Sequence, residues 1–185
     1  RRRFALTETD VEQILTWIEA LGIHWGVDAE DLQSMALSVN PVHTWRSGTD
    51  RLLLGFALGD TGSVYEGYIP VVPGDSSLAE TAGRWREFLE QLIALRRTLS
   101  GAYPLSRWIA ICHQILDRFF TPDDAEMDNM VRLRQRLAGL ASDGLVAGFS
   151  APLSLPVLRD AVERRIGDAV GGRFMSGGVT FATLA

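Results

Sequence analysis

The segment SLAETAGRWREFLEQLIALRRTL, residues 77–99, opens with the pattern Ser77-x-x-Glu80 and then repeats apolar residues at helical spacing. Ser77 and Glu80 stand where a capping box places its two reciprocal bonds, so a helix is expected to start there. Leu78, Ala82, Trp85, Leu89, Leu92 and Leu99 follow steps of three and four, and Phe88 and Ile93 widen the stripe. That spacing lines one face of a helix of about 22 residues. Such a helix predicts the spine of a helical domain. Its expected partner is the helix after Pro104, where Leu105, Trp108, Ile109, Cys112, Ile115, Leu116 and Phe119 repeat the pattern.

Outward from this pair the chain continues in helices. Thr121-Pro122 reads as a cap followed by an N1 proline. The helix it opens is expected to turn Met127, Met130, Val131, Leu137 and Leu140 towards the core. A loop with Gly144 and Gly148 comes next. Ser154 then caps a last helix, with Pro156 in its first turn and Leu158, Val162 and Ile166 inside. In the other direction, Thr7 and Asp10 cap a first helix carrying Val11, Ile14, Leu15 and Ile18, which Gly22 stops. Asp28 caps a brief helix over about residues 29–37. Asn40-Pro41 breaks the chain. A third helix runs from Thr44 to Gly59, and its half Leu52-Leu53-Leu54-Gly55-Phe56-Ala57-Leu58 is apolar all round, so it is expected to be buried on most sides. Residues 60–75 are irregular, and Tyr68-Ile69-Pro70-Val71-Val72 reads either as one short strand or as a loop packed on the body.

Gly171-Gly172 and Gly177-Gly178 bracket a change of character. Val179-Thr180-Phe181-Ala182-Thr183-Leu184 is rich in β-branched residues and apolar on both faces, as an interior parallel strand is. No other segment clearly offers a strand to pair with it. The expected fold is therefore mainly α: a multi-helix domain over residues 1–176, then the first strand of a further sheet over residues 177–185. With no initial Met and an apolar finish, both ends are expected to be cut from something longer.

Composition limits what such a domain does. Five Trp and eight Phe within a 46% hydrophobic chain of 185 residues supply a substantial core. No run approaches the roughly 18 uncharged apolar residues of a membrane span, and Arg1-Arg2-Arg3 leads into an acidic amphipathic stretch rather than a signal peptide's apolar region. The single cysteine, Cys112, forms no intrachain disulfide. A net charge of −5 argues against a surface devoted to nucleic acid and leaves room for a local basic patch. All 18 basic residues are Arg. Codon bias in a GC-rich genome is the plain explanation, and the consequence is chemical: no Walker A lysine and no Schiff-base lysine.

The search for chemistry returns little. Cys112 and His113 are adjacent on a helix and point about 100° apart, so they do not converge on one ion. His24 and His43 belong to no ligand-spaced motif. Phosphate-binding patterns G-x-x-x-x-G-K-[ST] and G-x-G-x-x-G are missing, as is a G-x-S-x-G elbow. Asp123-Asp124 sit at a helix N-terminus, where the macrodipole accounts for them. No cofactor and no metal are expected. Arginine carries what remains. Arg132 and Arg136 share a helix face, with Arg134 turned away, and Arg46 and Arg51 lie beside Trp45 and Gly48. Arginine beside an exposed aromatic holds single-stranded nucleic acid by stacking and phosphate contact, whereas a solvated surface with a half-buried Trp is the plainer alternative.

Two blocks resemble a known family. Trp17-Ile18-Glu19-Ala20-Leu21-Gly22-Ile23-His24-Trp25-Gly26-Val27-Asp28 is similar to W-(I/V)-x-x-x-G-(I/V)-x-W-G-(L/V)-D. Thr44-Trp45-Arg46-Ser47-Gly48-Thr49-Asp50-Arg51-Leu52-Leu53-Leu54-Gly55-Phe56-Ala57 is similar to T-W-R-x-G-x-x-R-(L/M)-L-L-G-(Y/F)-A. Both are patterns of the RecC family, the gamma subunit of exodeoxyribonuclease V. Pro152-Leu153-Ser154-Leu155-Pro156-Val157-Leu158-Arg159-Asp160 resembles its P-L-S-L-x-x-L-R-D, and residues 178–184 resemble the strand opening its degenerate helicase motif V.

The resemblance implies a superfamily 1 helicase fold without ATPase residues, working with the RecB helicase-nuclease and the RecD helicase in double-strand-break repair. This chain then corresponds to the helical 2B insertion, which ends as the 2A sheet resumes at Val179. It implies a non-catalytic, cytoplasmic scaffold that guides DNA, with Trp45, Arg46, Arg51, Arg132 and Arg136 as candidates for DNA or subunit contact. The family's regions before this domain and after the strand are missing from the sequence. A free-standing helical interaction or regulatory module is the alternative. In either case residues 179–184 are expected to promote pairing between copies, because an unpaired edge is adhesive.

Overall fold

The computed structural model describes residues 2–37, 40–59, 62–72 and 74–171. The fold is mainly α, as expected, with seven α-helices and three short 3-10 turns among the described residues. The strand expected at residues 179–184, and the domain boundary before it, lie outside those residues. The helical body itself divides into two units, Arg1–Arg96 and Arg97–Ala185.

The first unit contains α1 (Glu8–Ala20), α2 (Ala29–Ser34), α3 (Trp45–Leu58) and nearly all of α4 (Ala79–Leu99). Three of these helices start at caps legible in the sequence. Thr7 and Asp10 form a reciprocal capping box on α1, Asp28 accepts from the Asp31 amide on α2, and Thr44 accepts from the Ser47 amide on α3. Each side chain satisfies an N-terminal amide that the helix leaves unpaired. The start of α4 differs from expectation. A 3-10 turn, Ser76–Leu78, precedes it, and Asp75 caps that turn by accepting from the Ser77 amide.

α4 is the spine of the first unit, where it packs on the helices before it, and its last residue Leu99 packs against Trp108 and Ile111 of α5. Thr81, Ala82, Trp85, Leu89 and Ile93 are buried along one face. Trp85 lies 6.2 Å from the ring of Trp17 on α1, Trp17 meets Phe56 of α3 edge-on at 5.9 Å, and Phe88 meets Phe4 at 5.0 Å. α3 buries less than its composition suggests: Leu52 and Gly55 are buried, whereas Ala57 and Leu58 are exposed. Gly55 is needed where it stands, because a Cβ there would meet the Val71 carbonyl oxygen at 1.9 Å. The segment Tyr68 to Val72 is thus a loop packed on α3, held by the Val71 amide donating to the Arg51 carbonyl at 3.0 Å.

The second unit packs α5 (Leu105–Phe119), α6 (Asp124–Val146) and α7 (Leu155–Gly171). α5 is apolar on two sides and uses both. Trp108 and Ile111 pack with Leu158 of α7, while Ile109 and Leu116 pack with Leu137 of α6. A two-residue antiparallel bridge between Tyr103 and Leu153 ties the approaches to α5 and α7, and the Trp108 indole donates to the Leu153 carbonyl at 2.8 Å. Three expectations change here. Asp123, in a capping box with Glu126, starts α6 in place of Thr121. Asp is the better cap, and the Glu three residues on secures it. Gly144 lies inside α6 rather than in a loop, and Met127 and Val131 face solvent while Leu137 is buried.

Asp10 links α1 to α4. Its carboxylate accepts from the Thr7 hydroxyl at 2.6 Å and from the Thr81 hydroxyl of α4. The Thr7 side-chain bond, then the Thr81 bond, hold its carboxyl down to about 2 from 3.8. A depressed folded-state pKa stabilises above the unfolded value and is lost as pH falls through the folded one. The Asp10 contribution is therefore complete above about pH 4 and disappears towards pH 2. Asp10→Asn should flatten the acid limb of stability across that window, as read by urea unfolding at stepped pH. An unchanged difference between the two proteins from pH 5 to pH 2 would contradict it.

Candidate functional site

The residues singled out around Trp45 do converge in space, but on one another's neighbours. Arg46, in the first turn of α3, forms ion pairs with Asp28 at 3.6 Å and with Glu90 of α4 at 3.2 Å. Glu90 also meets Arg86 at 3.4 Å, and Arg86 pairs with Asp50 of α3. Five charges thus form one chain across the α2 cap, α3 and α4. Half-buried, it gains from a lower local dielectric, and losing any one member leaves its partners uncompensated.

Arg51 is also engaged. Its Nε donates to the Ile69 carbonyl at 3.1 Å and a terminal nitrogen donates to the Leu21 carbonyl at 3.4 Å. A guanidinium has five N–H donors, so one Arg can fasten the 62–72 loop and the end of α1 together. Trp45 is half-buried and lines an apolar groove with α1 and α4. Arg46 and Arg51 instead line a polar cleft of about 550 Å³, together with Asp28, Asn40, Thr44 and Tyr68. Two carboxylates, Asp28 and Glu66, share that cleft, so its charge is mixed.

In the second unit Arg136 donates to the Arg165 carbonyl at 3.2 Å. Arg134, on another face, pairs with Asp117 at 2.7 Å. Arg132 is exposed and makes no ion pair among the described residues. Of the five arginine and tryptophan candidates it has the freest head group.

The sequence did not point to Arg96. It pairs with Asp31 of α2 at 2.7 Å. The Arg96 hydrogen bond and the Val27 amide hold the Asp31 carboxyl below its usual value, and the same pairing raises Arg96. The i,i+4 spacing of Arg86 and Glu90 was the available sign of the ion-pair chain.

Other chemistry-bearing groups are separately placed. His24 and His43 stack with ring centroids 5.5 Å apart, and His43 Nδ1 lies 2.9 Å from the Gly22 carbonyl. Cys112 touches both apolar clusters of the second unit, and burial pushes its thiol up. Among the described residues no three His, Cys, Asp or Glu side chains gather as a metal-binding group. Nor is any described helix long and apolar enough to cross a membrane.

Residues 1–169 match the family model described as the RecBCD enzyme subunit RecC fourth domain. The chain belongs to that family. It is 31% identical over 183 residues to the RecBCD enzyme subunit RecC of Escherichia coli, covering 98% of this chain and 16% of that protein. The RecC subunit of Mycobacterium tuberculosis is 30% identical over 187 aligned positions, covering 100% of this chain and 17% of the relative. That of Haemophilus influenzae is 25% identical over 185, covering 100% and 16%. The chain thus spans about a sixth of the length of the curated relatives it matches.

Proposed function

We propose that this chain is a non-catalytic, helical domain of a RecC subunit that helps guide DNA within the RecBCD helicase-nuclease, in double-strand-break repair by homologous recombination. The match of residues 1–169 to the fourth domain of RecC carries this reading. Its partners are then RecB and RecD, its setting is the cytoplasm, and DNA reaches it through the assembled complex. Within the parent it takes the place of a 2B-like insertion, with residues 177–185 returning to the 2A-like sheet. The internal arginine contacts support a scaffold role: Arg46 and Arg51 spend their donors holding α2, α3, α4 and the 62–72 loop together.

Trp45, Arg46, Arg51, Arg132 and Arg136 are the candidates for contact with DNA or a neighbouring subunit. Arg132 has the strongest physical case, since its guanidinium is exposed and holds no ion pair among the described residues that a phosphate would have to break. A salt titration of DNA binding by the assembled complex tests it. Arg132→Ala should weaken binding evenly across sequences and lower the slope of log K against log salt by about 1. An unchanged slope would remove Arg132 from the interface.

The same reading leaves residues 179–184 without their sheet in the isolated fragment, so copies should pair through them. Light scattering of the chain ended at Ser176 should show less association than the full 185 residues. Equal association would exclude the strand.

A further inference from the structure

A groove of about 340 Å³ runs between α1 and α4, and its walls are almost wholly apolar. Ile14, Leu15 and Ile18 form one side; Phe88 and Leu92 stand on the other. Two of these side chains contribute little to the fold that places them. Leu15 is 59% exposed and Leu92 is 39% exposed. Covering the exposed part of each leucine removes apolar surface from water, which favours an occupant.

The rim of the groove is acidic on the α1 side. At about 100° per residue, Leu15 lies beyond Ile14, Ile18 and Val11, and the next positions round the helix are Glu8, Glu19 and Glu12. All three are exposed. Glu12 and Glu19 have no side-chain partner among the described residues, and α1 contains no basic residue. Across the groove the cations are already engaged. Arg84 donates to the Ala5 carbonyl and pairs with Glu80, while Arg96 is fastened to Asp31.

We propose that this groove docks an amphipathic helix of another polypeptide, one whose apolar face is flanked by Arg or Lys. Walls this poor in polar atoms offer no donors or acceptors to a bound backbone. The occupant must satisfy its own N–H and C=O groups, and a helix does so where an extended segment does not. Its basic flanks meet Glu12 and Glu19, which sets orientation and hastens encounter. A second copy of this chain fits poorly. A two-fold contact places the same patch on both sides, so α1 carboxylates would face α1 carboxylates. The proposal goes beyond the DNA-guiding reading and does not depend on it.

The test is fluorescence anisotropy with the full 185-residue chain and three labelled peptides of about 18 residues, long enough to span the 13-residue α1 wall. One carries Leu at i, i+3, i+4, i+7 with Arg between. The second has the same composition scrambled, and the third replaces Arg by Glu. The patterned Leu/Arg peptide should bind at least about tenfold tighter than either control. Glu12→Arg with Glu19→Arg should weaken it by about fivefold or more, increasingly so at low salt. Leu92→Glu should do the same from the apolar wall. Both changes replace exposed side chains, and circular dichroism verifies that the helices persist. Equal binding of the scrambled peptide, equal binding of the Leu/Glu peptide, no binding at all, or indifference to the charge reversal would each overturn the proposal. So would sedimentation velocity showing self-association that Leu15→Glu abolishes, because the occupant would then be a second copy.

Discussion

Trp85 presses its indole against Trp17 at the middle of the first unit, with ring centroids 6.2 Å apart and Phe56 edge-on to the same Trp17. Both indoles are almost completely buried. Aromatic side chains bury the largest apolar areas available to a protein, and their contacts fix geometry as well as add energy. α1, α3 and α4 meet at this point, so the polar links around it act on helices whose spacing is already set. The Asp10 bonds, the Arg46–Glu90 pair and the Arg96–Asp31 pair then select how each helix is turned.

Arginine supplies two of those three links. With no lysine in the chain, each cation is planar and multiply donating. Arg46 reaches two carboxylates on separate elements, and Arg51 reaches two carbonyls from separate segments. A lysine ammonium could supply charge at either place but not the forked reach. The tryptophan contact and the arginine links divide the labour: one provides energy, the other provides register. These links within the first unit suit the scaffold role proposed for the chain within a larger subunit.

Local signals in the sequence were read well and distant ones poorly, for physical reasons. Thr7, Asp28 and Thr44 announced helix starts because a cap acts within three residues. Thr121 misled because Asp123, a better cap than Thr, took its role, and Ser77 because a 3-10 turn capped by Asp75 precedes α4. The stripe on α4 was legible, but spacing cannot tell which of its members a neighbour covers; Leu92 fits the pattern and stays half in solvent. A stripe does not name its partners either: Trp85 meets Trp17 of α1, whereas Leu99 at the end of α4 packs against Trp108 and Ile111 of α5. Arg46 and Arg51 stood out beside Trp45, yet Glu90 and Ile69 lie 44 and 18 residues away. No local pattern encodes contacts at that distance. The family blocks at residues 17–28 and 44–57 were the long-range information, and the match over residues 1–169 agrees with them.

The first unit is assembled on the Trp85–Trp17 contact. Equilibrium urea unfolding of Trp85→Ala, Trp17→Ala and the double variant measures it directly. Trp85→Ala is expected to lose about 3–5 kcal/mol, and the double variant should lose clearly less than the sum of the singles because the two rings share one contact. A Trp85→Ala protein within about 1 kcal/mol of the parent, or strictly additive losses, would contradict the account.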